Sequence, residues 1–155
     1  LMCIWGIRIS WIWGLTQMIT NADITIYNYW YNPETKEREY HRTHIRGVHW
    51  YTDQKLSVRD KGVVSGDVYQ IRIPDNAVIE DGRVFLDAKK YHTLEAEDIN
   101  RYWTVDKEDL FVKGLIEDKV TSLSSLKQYP ESGKIISFSV NQYGSNPHIR
   151  IGGVR

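Results

Sequence analysis

Several residue types that mark particular protein classes are scarce in this chain of 155 residues. A single cysteine, Cys3, excludes an internal disulfide framework and a zinc site built from cysteines. The 20 basic and 20 acidic side chains cancel, so the chain has no general attraction to phosphate or to an anionic membrane. A content of 41% hydrophobic and 26% charged residues is neither that of a disordered chain nor that of a membrane protein. These numbers predict an ordinary soluble domain.

The start of the chain carries the only apolar run that suggests a targeting signal. It is about 15 residues long, shorter than the ~20 that a membrane-spanning helix needs, and Arg8 lies in its middle. A secretory signal would place basic residues before the run and a small-residue cleavage site after it, which this segment does not do. We predict that residues 1–17 are a non-native extension of the reading frame, disordered or loosely attached, with Met18 as the native start. An amphipathic membrane-surface arm and a core strand are the alternatives.

From Met18 onward, short apolar runs separated by turn residues predict one β-rich domain, residues 18–155. Residues 23–30 alternate between two faces as a strand does, and the turn around Pro33 leads into a second extended run at residues 38–50, so the two runs are predicted to pair as a hairpin. Further turn signals, the first at residues 60–62, follow at short, regular spacing, which favours a small antiparallel β-barrel or sandwich.

Four more local patterns predict particular elements. Asp81–Gly82 is typical of a tight type I′ turn, so residues 78–79 and 84–85 are predicted to pair as a hairpin, and the strands flanking residues 106–109 are predicted to do the same. Residues 134–141 and 148–151 predict a closing hairpin. One short helix is predicted near residues 121–129, because apolar residues recur there every third position.

No group of residues predicts catalysis, a metal site or a cofactor. In an extended run, His41 and His49 lie on one face about 26 Å apart at ~3.3 Å per residue, and His44 lies on the other face, so the three cannot share a metal ion. There is no Gly-x-Ser-x-Gly nucleophile motif and no phosphate-binding loop, and the paired carboxylates lie in polar turns. The chain is therefore predicted not to be an enzyme.

Clustered aromatic residues are the unusual feature of the domain. Consecutive aromatic residues on a strand point to opposite faces, so some of them lie outside a single-sided core. They can form a protein interface, lie in a sheet covered on both faces, or stack on bases as in oligonucleotide-binding barrels. The predicted partner or oligomer contacts are Tyr29, Trp30, Tyr31, His49, Trp50, Tyr51, His148 and Arg150.

Several stretches of the chain resemble a family of uncharacterised proteins encoded by tailed phages and prophages of Gram-positive bacteria, among the head-completion and minor capsid genes. The resemblance rests on residues 23–28, 42–50, 67–74, 102–105, 109–114 and 144–153. The most distinctive motifs are Gly-Val-His-Trp at residues 47–50 and His-x-Arg-Ile-Gly-Gly at residues 148–153. The order of strands also resembles the β-barrel stopper and head–tail joining proteins of long-tailed phages.

The resemblance implies a structural protein of the virion, either a connector or stopper at the head–tail junction or a minor capsid component. Such a protein would form a homo-oligomeric ring, contact other virion proteins and occupy the host cytoplasm during assembly, without a membrane or cofactor. The alternative is a β-barrel module that binds single-stranded nucleic acid or carbohydrate through exposed aromatic residues.

Overall fold

The computed structural model describes residues 19–59 and 62–155, with side chains described outside residues 53–67. The predicted extension at residues 1–17 lies outside the described residues, as does part of the predicted turn at residues 60–62. Nine strands are described: β1 (Ala22–Asn32), β2 (Glu37–Arg59), β3 (Gly62–Pro74), β4 (Val78–Ile79), β5 (Val84–Phe85), β6 (Tyr102–Trp103), β7 (Leu110–Lys113), β8 (Ser132–Asn141) and β9 (His148–Val154).

Six of these strands form a closed antiparallel barrel. Their order is β1-β7-β8-β9-β3-β2, and pairing between β1 and β2 closes the ring. Strand β4 adds to β2 outside this ring, and β5 pairs with β6 in a separate parallel ladder of two residues each. The prediction of a mainly β fold with a small antiparallel barrel is confirmed.

Two of the predicted hairpins form and two do not. The β1–β2 and β8–β9 hairpins are present, each with one register shift in its ladder. Asp81 and Gly82 do adopt the left-handed turn, with φ of 56° and 62°, but β4 pairs with β2 and β5 pairs with β6. Likewise β6 and β7 do not pair with each other. A local turn signal reverses the chain without fixing which strands become neighbours, so these two predictions are wrong.

Helical structure is confined to single turns in the described part of the chain. The helix predicted near residues 121–129 is a 3₁₀ helix at Leu123–Leu126, and Leu126 is buried against the outer side of the barrel. One α-helical turn, α1 (Ala88–Tyr91), begins after Asp87, whose side chain accepts a hydrogen bond from the N–H of Lys89 at 3.2 Å. Short 3₁₀ turns at Glu80–Gly82 and Ile99–Arg101 complete the set.

The hydrophobic core has one main cluster inside the barrel and two smaller ones. The main cluster joins buried residues of six strands with residues 103–105, which cross from the long β3–β7 connection. A second cluster lies outside β1 and β7, beneath residues 116–129. A third packs Trp30 against Tyr91 and Ile99. Both faces of β1 are therefore covered, which is why five consecutive residues, 24–28, are buried.

A β-bulge at Gly47 changes which face the histidines of β2 occupy. Asp23 pairs with Arg46 and Ala22 with Val48, so Gly47 is the extra residue, with φ of 82°. His41 lies on the inner face against Trp30, whereas His44 hydrogen-bonds to the Ile116 carbonyl on the outer side. The bulge then places His49 on the same outer face as His44. The predicted arrangement, with His41 and His49 on one face, is wrong because a strict period of two does not survive a bulge.

A buried carboxylate ties the barrel together at one end. Asp109 is 1% exposed and accepts hydrogen bonds from the Tyr29 N–H at 3.0 Å, Asn28 Nδ2 at 2.9 Å and the Asp106 N–H at 3.1 Å. Asn28 also exchanges hydrogen bonds with the backbone of Thr104. This network fixes β1 to the turn that enters β7.

The stability of the fold is expected to depend on pH through Asp109. Burial raises the pKa of Asp109 from 3.8 to about 7, even though the three N–H donors lower it. The pKa of Asp109 is higher in the folded chain than in the unfolded chain, so protonated Asp109 favours the folded state. This stabilisation is fully present below about pH 4 and is lost as the pH rises through about 7. We expect the free energy of unfolding to fall by up to a few kcal/mol across this window. Denaturant titrations of wild type and Asp109→Asn test this, and parallel pH curves for the two proteins would contradict it.

Candidate interaction surface

The two aromatic clusters split between the core and the surface. Trp30 and Trp50 are 1% and 4% exposed, so neither is available to a partner of the folded chain, which corrects that part of the predicted contact set. Trp50 packs between Tyr69 and Phe111, with ring centroids 5.1 and 5.7 Å away. These tryptophans are buried because they share the inner face of their strands with the isoleucines of the core.

The neighbours of the two tryptophans point outward, as alternation along a strand requires. Tyr31 is 49% exposed, and Tyr29 lies half-buried in edge-to-face contact with Tyr40, with centroids 5.9 Å apart. His49 and Tyr51 lie on the outer face of β2 with ring centroids 5.5 Å apart. Tyr29 and Tyr31 are near the β1–β2 turn, whereas His49 and Tyr51 lie farther along the same long strand.

Seven outward-facing side chains lie in two rows across four neighbouring strands, β2, β3, β9 and β8. One row runs from His49 to Arg72, Arg150 and Ser139, each the register partner of the next. The neighbouring row runs from Tyr51 to Gln70 and, across Gly152, to Ser137. We call this surface the arginine face: His49, Tyr51, Gln70, Arg72, Ser137, Ser139 and Arg150.

The arginine face carries positive charge without acidic partners. Among the described side chains, no carboxylate lies within ion-pair distance of Arg72 or Arg150. The Arg72 guanidinium lies 5.9 Å from the ring centroid of Tyr51, a cation–π contact, and its Nε is buried without a hydrogen bond. Arg150 is exposed at the surface.

A depression of about 340 Å³ lies at the β9 and β8 side of this face, lined by Gln70, Arg150, Gly152 and both serines. Position 152 accommodates only glycine, because a Cβ there would lie 2.4 Å from Ser137 Oγ, which occupies that space. Hydroxyl and amide groups therefore surround the depression together with Phe138, and the Ser137 hydroxyl lies over the Gly152 backbone.

The far half of β8 leaves one edge of the sheet open. Strand β7 pairs with β8 only as far as Lys134, and residues 108–109 hydrogen-bond to Ile135. Beyond that point, no strand in the described part of the chain pairs with the side of β8 opposite β9. We call residues 136–141 the β8 edge. Its Ile136, Phe138 and Val140 are 43%, 37% and 38% exposed, and Tyr143 in the following loop is 96% exposed.

Two further features extend from the barrel. Strands β2 and β3 remain paired to Arg59 and Gly62, whereas β9 reaches β3 only as far as Val68. Residues 53–59 and 62–67 therefore form a two-stranded arm that no third strand joins within the described residues. His148 lies at the other end, beside an apolar pocket of about 210 Å³ whose walls include Phe85, Trp103 and Val140.

The structure brings together three of the eight predicted contact residues, His49, Tyr51 and Arg150. Tyr29, Tyr31 and His148 lie elsewhere on the surface. Sequence reasoning missed Arg72, Gln70 and the two serines. The alternation in residues 68–73 could have identified Gln70 and Arg72 as outward-facing, but only the β3–β9 register shows that Arg72 lies opposite Arg150.

Among the side chains of residues 19–52 and 68–155, no three His, Cys, Asp or Glu residues lie close enough to hold a metal ion together. In the same part of the chain, no helix has the length and apolar character needed to cross a bilayer.

Residues 19–154 match the model of a family described as "Family of unknown function (DUF6751)". Neither a curated protein nor a solved structure matches the chain.

Proposed function

The chain belongs to DUF6751, a family of unknown function, and we propose that it is a structural protein of a tailed-phage particle that acts by docking to copies of itself and to other virion proteins. It would occupy a connector or stopper position at the head–tail junction, or a minor capsid position, and would be present in the host cytoplasm during assembly. The resemblance of its motifs to phage proteins supports a place in a phage particle. The surface of the barrel supports docking to other chains.

The open β8 edge is the observation that carries this proposal. An unpaired strand edge presents a row of N–H and C=O groups that can pair with another chain, and monomeric proteins usually block such edges with lysine, proline or a covering loop. Residues 136–141 contain no charge and no proline. Apolar residues alternate along the edge with Ser137 and Ser139. Such an edge is typical of a strand that is completed by a partner.

Two open elements on each copy are compatible with assembly into a ring. If the β8 edge of one copy docks on a different surface of the next copy, the contact is heterologous and closes into a ring when the rotation allows. The arm formed by residues 53–59 and 62–67 projects from a different pair of strands and offers a second open backbone surface. Each copy therefore has two separate elements that can reach its neighbours.

Blocking the β8 edge is expected to prevent assembly without unfolding the chain. Val140→Lys places a charge on the edge, whereas Val84→Lys makes the same change at a 60% exposed valine away from it. Each variant gene would replace the native gene in the phage or prophage that encodes it, and peptides of the chain would be counted by mass spectrometry in purified particles. We expect several copies per particle for wild type and Val84→Lys, and at least a tenfold loss for Val140→Lys.

Two results would contradict this function. Absence of the wild-type chain from purified particles would remove the virion role. Normal incorporation of Val140→Lys would retain the particle role but overturn docking through the β8 edge. The thermal midpoint of each purified variant shows whether any loss comes from unfolding.

A further inference from the structure

Two arginines face each other on the barrel wall at a place where sheets normally avoid like charges. Arg72 and Arg150 are direct register partners on β3 and β9. Opposed residues on antiparallel strands have Cβ atoms about 4.5–5.5 Å apart, and like charges at that separation destabilise the sheet. No described acidic side chain offsets either charge. Among the described side chains the pair is therefore an uncompensated like-charge contact, and a bound anion would offset its cost.

The groups around the pair suit an oxyanion with several oxygens. A guanidinium donates hydrogen bonds in a planar fork that matches phosphate, and two forks can grip one group from two sides. Ser139 follows Arg150 in the same row, and Gln70 and Ser137 lie in the next row, so hydroxyl and amide donors surround the depression. The absence of a side chain at Gly152 lets the Ser137 hydroxyl lie close to the β9 backbone, within this set of donors.

Aromatic rings adjoin the anion position on one side only. Tyr51 and His49 lie beside Arg72, at the β2 side of the face, while the depression lies at the β8 side. Cationic groups next to aromatic rings are the combination by which proteins hold single-stranded nucleic acid, with phosphates on the charges and bases on the rings. An acidic protein segment would use the arginines but would leave the rings without a role.

We propose that the arginine face binds phosphate groups of single-stranded nucleic acid, with Arg72 and Arg150 as the phosphate ligands and Tyr51 as a stacking surface. This proposal does not depend on the docking proposed above, because binding needs neither a second copy nor the virion, although Ser137 and Ser139 belong to both surfaces. A zero net charge does not prevent it, since the β3–β9 register places the two arginines at directly opposed positions whatever the total charge.

The test is the binding of a fluorescein-labelled thymidine oligonucleotide, about ten nucleotides long, to the purified full chain by fluorescence anisotropy across a range of salt concentrations. Two phosphate contacts predict a slope of about −1.4 in log K against log salt, at ~0.7 per phosphate on a single strand. Arg150→Gln and Arg72→Gln are each expected to halve the slope and weaken binding about tenfold or more. Tyr51→Ala is expected to weaken binding with the slope unchanged.

Arg101→Gln is the matched control, because it removes the same charge from an arginine that is paired with Asp98 at 3.6 Å on another part of the surface. It should bind as wild type does. Unchanged thermal midpoints, within about 2 °C, separate lost binding from lost folding. Three results would overturn the proposal: no binding at low salt, equal binding by the Arg72→Gln/Arg150→Gln double variant, or tighter binding of a polyglutamate peptide or of inorganic phosphate than of the oligonucleotide.

Discussion

Replacing Asp109 by alanine is expected to lower the free energy of unfolding by about 3 kcal/mol or more, because it leaves three buried N–H donors without an acceptor. The donors belong to Asn28, Tyr29 and Asp106, and they lie between β1 and the turn that enters β7. Burying the carboxylate is itself costly, as its raised pKa shows. Removing one partner of a buried network nevertheless costs more than keeping the ion, since each unsatisfied donor carries its own desolvation penalty.

Urea titration at neutral pH measures this loss, and thermal unfolding gives a second readout. A loss of about 3 kcal/mol corresponds to a fall of roughly 6–12 °C in the midpoint for a chain of this length. Glu97→Ala is the control, because Glu97 is an exposed carboxylate with no hydrogen bond described. A change below about 1 kcal/mol for Asp109→Ala would show that the network does not hold this end of the barrel.

Adjacent residues on β2 are expected to respond very differently to truncation. Trp50→Ala should cost about 3–5 kcal/mol, because it opens a cavity between Tyr69 and Phe111 inside the barrel. Tyr51→Ala removes a half-buried side chain from the outer face and should cost less than about 1 kcal/mol. The contrast tests the orientation of the strand directly, since a one-residue slip would exchange the two environments.

Denaturant titrations of the two variants under identical conditions provide the measurement. We expect the free energy of unfolding to be highest for wild type, slightly lower for Tyr51→Ala and much lower for Trp50→Ala. Equal losses, or a larger loss for Tyr51→Ala, would mean that Trp50 is not a core residue. In that case Trp50 would again be a candidate partner contact, as the sequence predicts.

Local patterns in the sequence predict the β fold well where the structure depends on neighbours in the chain. The β1–β2 and β8–β9 hairpins follow from alternation and turn residues close in sequence. The Asp81–Gly82 turn forms as its chemistry requires, yet β4 and β5 pair elsewhere because strands of two residues gain more from the long β2 and from β6. Closure of the barrel depends on pairs such as β1–β7, which no local pattern encodes.

The candidate site was only partly predictable, for a related reason. Alternation correctly separates Trp50 from Tyr51, but which of them faces the core depends on the bulge at Gly47, two residues before His49. Arg150 was predicted as a contact from its place near the C-terminal strand. Its partner Arg72 becomes visible only when β3 and β9, far apart in the chain, are placed side by side.

The two proposed activities use adjoining parts of the barrel wall. Ser137 and Ser139 belong both to the arginine face and to the β8 edge, so a strand added along β8 would extend the surface on which the arginines lie. Copies joined in this way would place their arginine faces in a repeating series, which suits a polymer with regularly spaced phosphates better than a small anion.

Hydrogen exchange at the β8 edge tests the central claim, that the chain works by docking to other chains, most directly. Amides of residues 136–141 that point away from β9 have no acceptor among the described residues of the free chain. In assembled particles, we expect these amides to exchange at least tenfold more slowly than in the isolated chain, because a partner strand would accept their hydrogen bonds. Equal exchange rates in the two states would show that the edge stays open and would contradict docking along β8.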